Sequence, residues 1–445
     1  MSSNVCDLTD GSLPDGWELI PAGIFRKKKS ASFNIAKEEQ RTVELYSVPS
    51  HETGLPEILD NKEIGSNKQY VDEGDVLLSK INPRLNRAWV VGNHSSHDKI
   101  ASTEWIVFEK SKKILPNYLK YALTANRVKE FLAHNASGVG GSLTRIKPAI
   151  MDSVLLGVPS LDEQKDIVAK IETLFSELDK GIESLKTARQ QLKAYRQTVL
   201  KHAFEGKLTE KWRQKNPDKL KSSMPEVRES QGMATPESWT VCCVQDVLVL
   251  GPSNGRSVKD RDGGFPVLRL TALKNGRIDV SEYKNGNWCR EQAEPYIVKK
   301  GDFLLSRGNG SKHLVGRGGL VPEHTFEVAF PDTMVRLRVD QNLVYPDYFS
   351  LVWQSRVIRQ QIEDSVRTTA GIYKINQEHI KGFSIPLPEI DEQKEIVNRL
   401  QEILSIVDKQ ESELIDALAS SESLRQSILR KAFSGQLSIK IGSVK

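Results

Sequence analysis

Between Asp162 and Phe204 the chain holds no proline and one glycine, Gly181, while apolar residues return at every seventh position: Ile171, Leu178, Leu185, Leu192 and Val199. A companion row contains Ile167, Leu174, Ala188 and Tyr195. Two such rows mark the seam of a helix that packs along another helix. Pro159 just upstream and Gly206 just downstream supply its stop signals. The pattern returns between 391 and 433, with Leu400, Val407, Leu414 and Ile428 in one row and Ile396, Ile403, Ala417 and Leu424 in the other. Gly181, Gln410 and Ser421 interrupt the seams, and a glycine inside a helix costs about 1 kcal/mol relative to alanine. Helices of roughly 40 residues would each span roughly 60 Å. Two seams in one chain are expected to pack against each other as a rod. Helices of an ordinary bundle core are the competing reading; core helices tolerate trimming at their ends, whereas these two copies have equal length.

The equal length belongs to a larger internal repeat. VPSLDEQKDIV (158–168) returns as LPEIDEQKEIV (387–397), an offset of 229 from Asp162 to Asp391, and HAFEGKL (202–208) returns as KAFSGQL (431–437) at the same offset. Earlier landmarks recur with drifting offsets. LPDGW (13–17) is answered by TPESW (235–239), GDVLLSK (74–80) by GDFLLSR (301–307), and LPNYLKYAL (115–123) by YPDYFSLVW (345–353). Each repeat thus has a variable front and a back of fixed length. The boundaries expected are 1–157 for the first front, 158–208 for the first helix, 209–234 for a polar linker, 235–386 for the second front and 387–445 for the second helix.

The fronts read as mixed α/β modules with more strand than helix. Short strands are expected at Val76–Leu78, Trp89–Val91, Trp105–Phe108, Phe303–Leu305 and Met334–Val339, and helices at 117–133 and 347–363. Function is expected in their loops. In the first module SKINPRLNR (79–87) gathers Lys80, Asn82, Arg84, Asn86 and Arg87 around a proline, and the glycine-rich SGVGGSLTR (137–145) ends on Arg145. In the second, SRGNGSKH (306–313) holds Arg307, Asn309, Lys312 and His313, PVLRLTALKNG (266–276) adds Arg269, Lys274 and Asn275, and RTTAGIYK (367–374) closes on Lys374. Arg, Lys and Asn pair with base edges and neutralise phosphates, and glycines let backbone N–H groups approach phosphate. Any one such loop reads as a plain solvated turn; recurrence at equivalent places in both repeats points to DNA binding.

Composition narrows the classes without choosing among them. The net charge of +5 is compatible with a polyanionic partner but does not demand one. No run of about 18 apolar residues occurs, and the N-terminus lacks the basic and apolar stretches of a secretory signal. Four scattered cysteines (Cys6, Cys242, Cys243, Cys289) show no metal or disulfide spacing; a cytoplasmic protein with reduced cysteines and no metal is expected. EGKLT (205–209) carries Gly-Lys but Lys201 stands where a phosphate-binding loop needs its first glycine. No Asn/Asp-Pro-Pro-aromatic motif, histidine pair or carboxylate-plus-lysine nuclease cluster is evident.

The doubled P-x-[LI]-D-E-Q and A-F-x-G-x-L landmarks, GKLTEKWR (206–213) and the GD-x-L-L-S-[KR] strands resemble the specificity subunits of type I restriction–modification enzymes, along essentially the whole chain. The resemblance implies an α+β fold of two mixed α/β target-recognition domains separated by an antiparallel coiled coil of two long helices, a pseudo-two-fold internal repeat. It implies a non-catalytic subunit that binds double-stranded DNA at a bipartite, asymmetric site, with helix length setting the unread gap. It also implies two modification subunits that methylate adenine N6 from S-adenosylmethionine, two ATP-dependent restriction subunits, and no cofactor on this chain. A duplicated coiled-coil DNA-binding regulator or scaffold without a methyltransferase partner is the alternative.

Overall fold

The computed structural model describes residues 5–9, 11, 13–138, 144–220, 234–274, 276–369 and 371–437. The chain divides into two compact units, Met1–Lys186 with Ile415–Lys445, and Thr187–Leu414. Nine α-helices are described: α1 (Pro116–Thr124), α2 (Asn126–His134), α3 (Leu161–Phe204), α4 (Glu210–Lys215), α5 (Arg290–Ala293), α6 (Pro346–Gln354), α7 (Arg356–Ser365), α8 (Gln377–Gly382) and α9 (Ile390–Phe433). The two long ones, α3 and α9, have 44 residues each. Each opens on acidic residues, Asp162 and Glu163 or Asp391 and Glu392, and closes on basic ones, Lys201 and His202 or Arg430 and Lys431, which complements the helix dipole. Each stops at a left-handed glycine, Gly206 (φ 74°) or Gly435 (φ 72°). The next amide then reaches back over the last turn, Lys207 N to His202 O at 2.9 Å and Gln436 N to Lys431 O at 2.8 Å, so the glycine of A-F-x-G is a helix terminator.

In the first unit, Val76–Ser79 is the central strand between Trp105–Phe108 and Ala88–Val90, antiparallel to both. A five-stranded mixed sheet and a three-stranded sheet built on Val154–Val158 complete it. In the second unit Phe303–Ser306 lies between Met334–Val339 and Gly318–Leu320 within a six-stranded sheet. The helices expected at 117–133 and 347–363 are each broken in two. Ala125 (ψ 142°) and Ser355 (ψ 164°) take extended backbone, and buried Ser355 donates its hydroxyl to Val352 O at 2.6 Å. The breaks let α2 and α7 bury Val128 and Leu132, or Ile358 and Ile362, on the same cores as the preceding helices.

Each core is closed by the start of one long helix and the end of the other. Ile167, Ile171 and Phe175 of α3 join Ile428, Leu429 and Phe433 of α9 in the first unit. Val199, Leu200 and Phe204 of α3 join Ile396, Val397 and Leu400 of α9 in the second. The pairing is antiparallel in both. Arg425 meets Asp179 in the first unit and Arg196 meets Asp408 in the second. Shifting Asp179 and Arg196 by the repeat offset of 229 gives Asp408 and Arg425, so one ion pair occurs twice.

The seam differs from the heptad expectation in one respect. Ile171, Val199, Leu400, Val407 and Ile428 are buried, and Leu178, Leu185, Leu192 and Leu414 are half-buried. In the second row, however, Tyr195 is 51% exposed and its repeat equivalent Leu424 is 52% exposed. A lone helix pair has one contact stripe, and the 3.6-residue turn carries a strict seven-residue row away from it by about 20° per heptad.

The repeated landmarks converge on one socket in each unit. Trp17 donates its indole N–H to Glu163 at 3.0 Å, and Trp239 donates to Glu392 at 3.0 Å. Buried Gln164 accepts from Leu115 N at 2.8 Å and donates to Lys113 O and Pro159 O; buried Gln393 accepts from Tyr345 N at 2.8 Å and donates to Leu343 O and Pro388 O. Tyr118 and Tyr348 lie edge-on to Phe433 and Phe204. D-E-Q, the tryptophan, the tyrosine and A-F-x-G are thus parts of one joint. In the segment expected as a linker, 209–220 is folded onto the second unit: Thr209 is buried, Arg213 pairs with Glu392 at 2.6 Å, and Lys219 lies 6.0 Å from the half-buried Trp212 ring.

Candidate nucleic-acid interface

The connection that leaves the Val76–Ser79 strand and the glycine-rich loop are paired through their backbones. Asn82 N donates to Thr144 O at 2.9 Å, and Ile146 N donates to Lys80 O at 3.0 Å. Arg145 bridges Ile81 and Ser137. The second unit repeats the arrangement: Ile375 N donates to Arg307 O at 3.0 Å, and Gly308–Asn309 pairs with Ile372–Lys374. Lys80 and Arg307 follow equivalent strands, and Ile146 and Ile375 differ by the offset of 229. Sequence alone therefore named two loops per module that the fold brings together. Residues 139–143 and 370 of the glycine loops, and Asn275, lie outside the described residues.

The candidate cations differ in how free they are. Arg84, Arg307, Lys312 and Lys374 are exposed, and their side chains make no ion pair or hydrogen bond among the described residues. Arg145 pairs with Glu104 at 3.0 Å, Arg87 with Glu52 at 3.6 Å, and His313 lies 3.8 Å from Glu363. Burial pushes the Lys80 ammonium below the usual lysine range, and nearby Arg145 adds to the shift against the pull of Glu104. Asn82 and Asn86 hold left-handed backbone at φ 48° and 44°, and Asn86 donates its amide to Leu123 O at 2.9 Å. Asn309 is half-buried, its side chain accepting from Ser311 N at 3.0 Å.

Arg269 and Lys274 belong to a different part of the second unit. Arg269 donates to Tyr283 O at 3.2 Å. Lys274 is held at 2.9 Å by both Asp279 and Glu282, and these hydrogen bonds raise its pKa. The two carboxylates neutralise it locally and would repel a phosphate. Lys147, Arg256 and Lys259 are further exposed cations outside the candidate set. Lys147 lies two residues beyond a loop window that stopped at Arg145; the other two lie in a stretch whose Asp260 and Asp262 offset the basic signal.

A recess of about 1220 Å³ in the first unit is lined by His51, Asn86, Lys120, Glu172, Asp179 and Arg425. Its mixed charge does not suit a phosphate backbone. Among the described residues no cluster of three His, Cys, Asp or Glu could hold a metal ion, and no helix is long and apolar enough to cross a membrane.

Each of the two units thus carries one copy of an α+β module and one braced pair of basic loops. The chain belongs to the type I restriction modification DNA specificity domain family, whose pattern matches residues 15–187 and again 236–418. It is 27% identical to the type I restriction enzyme EcoKI specificity subunit of Escherichia coli K12, over 97% of this chain and 91% of that one. It is also 27% identical to the StySPI specificity subunit of Salmonella potsdam, over 96% and 90%. A chain from a solved structure on complex assembly and conformational transition of the type I R-M system superimposes with a TM-score of 0.76 at 19% identity, over 96% of this chain and 99% of that one. The HsdS subunit from Thermoanaerobacter tengcongensis gives 0.55 at 18% identity, over 96% and 98%.

Proposed function

We propose that this specificity subunit reads a bipartite, asymmetric duplex sequence, one half-site per module, and is itself non-catalytic. It recruits two modification subunits that methylate adenine N6 and two ATP-dependent restriction subunits, in the cytoplasm. One observation carries the reading: the same two loops meet through the same backbone hydrogen bond in both units, while the side chains on them differ. A shared scaffold with unlike contacts suits two unlike half-sites. The two 44-residue helices would set the unread gap between them. The scaffold alternative lacks support, since relatives over nearly the whole chain are named as specificity subunits.

Mapping N6-methyladenine in the host genome with and without this gene tests the reading. A bipartite motif that disappears on deletion is expected; an unchanged methylation map sinks it. Arg84, Arg307 and Lys312 are expected to face DNA. Alanine at a base-reading position should weaken specific binding by roughly 1–3 kcal/mol, and at a phosphate contact should reduce the salt dependence on all sequences. Lys274→Ala should change neither. Wild-type affinity and salt slope in all three loop variants would remove the loop assignment.

A further inference from the structure

We infer that the tip of the first module, Asn82–Asn86, is a rigid wedge whose Leu85 side chain enters the base stack of a bound duplex. The inference rests on the reading of this module as a DNA-recognition head. Asn82 and Asn86 are the only non-glycine residues with positive φ among the described residues, and they flank a tight turn, Pro83–Leu85. The turn is fixed from several sides. Leu85 N donates to Asn82 O at 2.9 Å, Asn86 N to Pro83 O at 3.0 Å, and Asn82 N to Thr144 O at 2.9 Å. The Asn86 amide is tied to Leu123 O, and Pro83 is buried. What this bracing holds outward is Arg84, which has no ion pair among the described residues, and Leu85, which is 53% exposed.

A lone surface leucine is unremarkable. Here the backbone beneath it is locked, so the side chain cannot fold back onto the core. The second unit repeats the feature independently. The connection between the corresponding strands leaves Leu314 38% exposed beside Lys312 and His313. It too is fastened, Leu314 N donating to Ser311 O at 3.0 Å and Leu314 O accepting from the Ser306 hydroxyl at 2.8 Å. An aliphatic side chain on a preorganised tip, with cations at its base to hold phosphates, is what partial unstacking of a duplex requires. A rigid tip loses little conformational entropy on insertion. Unstacking also serves chemistry on a base, because the target atom is inaccessible inside a paired stack.

The test uses the full chain in complex with its modification subunits, on duplexes carrying the genome-mapped motif with 2-aminopurine substituted at one position at a time. The wild-type complex should raise 2-aminopurine fluorescence at a step within one half-site. Leu85→Ala should abolish that rise and weaken specific binding roughly tenfold, while Leu85→Met keeps both. An exposed position leaves the melting temperature unchanged, which separates the effect from misfolding. If Leu85→Ala leaves fluorescence and affinity as in the wild type, the wedge is wrong. It is equally wrong if affinity falls but the wild type shows no fluorescence rise anywhere, which would mean groove-wall contact with a thymine methyl. A wild-type complex with no sequence preference at all would overturn the DNA-head reading itself.

Discussion

Glu392→Ala is expected to destabilise the second unit by about 3–5 kcal/mol, the range for stripping one partner from a buried ion pair. Glu392 is 1% exposed. One carboxylate oxygen accepts from the Thr209 hydroxyl and the Arg213 guanidinium, both at 2.6 Å, and the other from Trp239 Nε1 at 3.0 Å. Removing the carboxylate leaves a nearly buried guanidinium without its counter-ion and the Trp239 indole without its acceptor, and loosens the 209–220 segment, which keeps its Lys219–Asp391 pair. The repeat supplies an internal control. Glu163 occupies the equivalent place but is half-buried and, among the described residues, its side chain takes only the Trp17 indole at 3.0 Å, so Glu163→Ala should cost about 1 kcal/mol. Hydrogen exchange resolved over peptides containing Trp17 and Trp239 reads the two units separately, which a single melting curve cannot do. A double-mutant cycle with Arg213→Ala should show strong non-additivity. Equal losses at Glu163 and Glu392 would show that Arg213 contributes nothing.

The same joint shows what sequence could and could not convey. Its parts were legible as landmarks because the residues that build it are few, specific and written twice. Their meeting was not legible, since Trp17, Tyr118 and Glu163 lie far apart along the chain and only the fold makes Gln164 cap the loop before α1. The long helices were legible from their heptads, and their overstatement at Tyr195 and Leu424 came from assuming that both rows stay on the contact stripe. The basic loops were found through recurrence, but pairing through Asn82–Thr144 or Arg307–Ile375 is a backbone property that side-chain composition does not encode. The pairing of Lys274 was not legible, because its partners Asp279 and Glu282 come from a hairpin return. The 209–220 segment read as linker because its anchors, the Arg213–Glu392 and Lys219–Asp391 ion pairs, join it to residues far along the chain.

Phe204→Ala and Phe433→Ala are each expected to cost about 3–5 kcal/mol, through lost apolar burial and the cavity left behind. Phe433 closes α9 and sits edge-on to Tyr118, with ring centroids 5.2 Å apart; Phe204 closes α3 and sits 5.8 Å from Tyr348. Both phenylalanines are buried. Both tyrosines are also tied to the strand that precedes a long helix, Tyr118 donating to Gly157 O at 2.6 Å and Tyr348 to Pro386 O at 2.8 Å. The ring of each phenylalanine therefore holds the end of one helix to a tyrosine that is fastened beside the start of the other. The losses should be local: faster exchange around Tyr118 in the Phe433 variant, and around Tyr348 in the Phe204 variant. Neither change touches Arg84 or Arg307, so methylation by the assembled enzyme should fall in occupancy while its sequence motif stays the same. A variant that altered the motif instead would mean that the joints take part in reading bases, and the division between a repeated scaffold and unlike loops would fail.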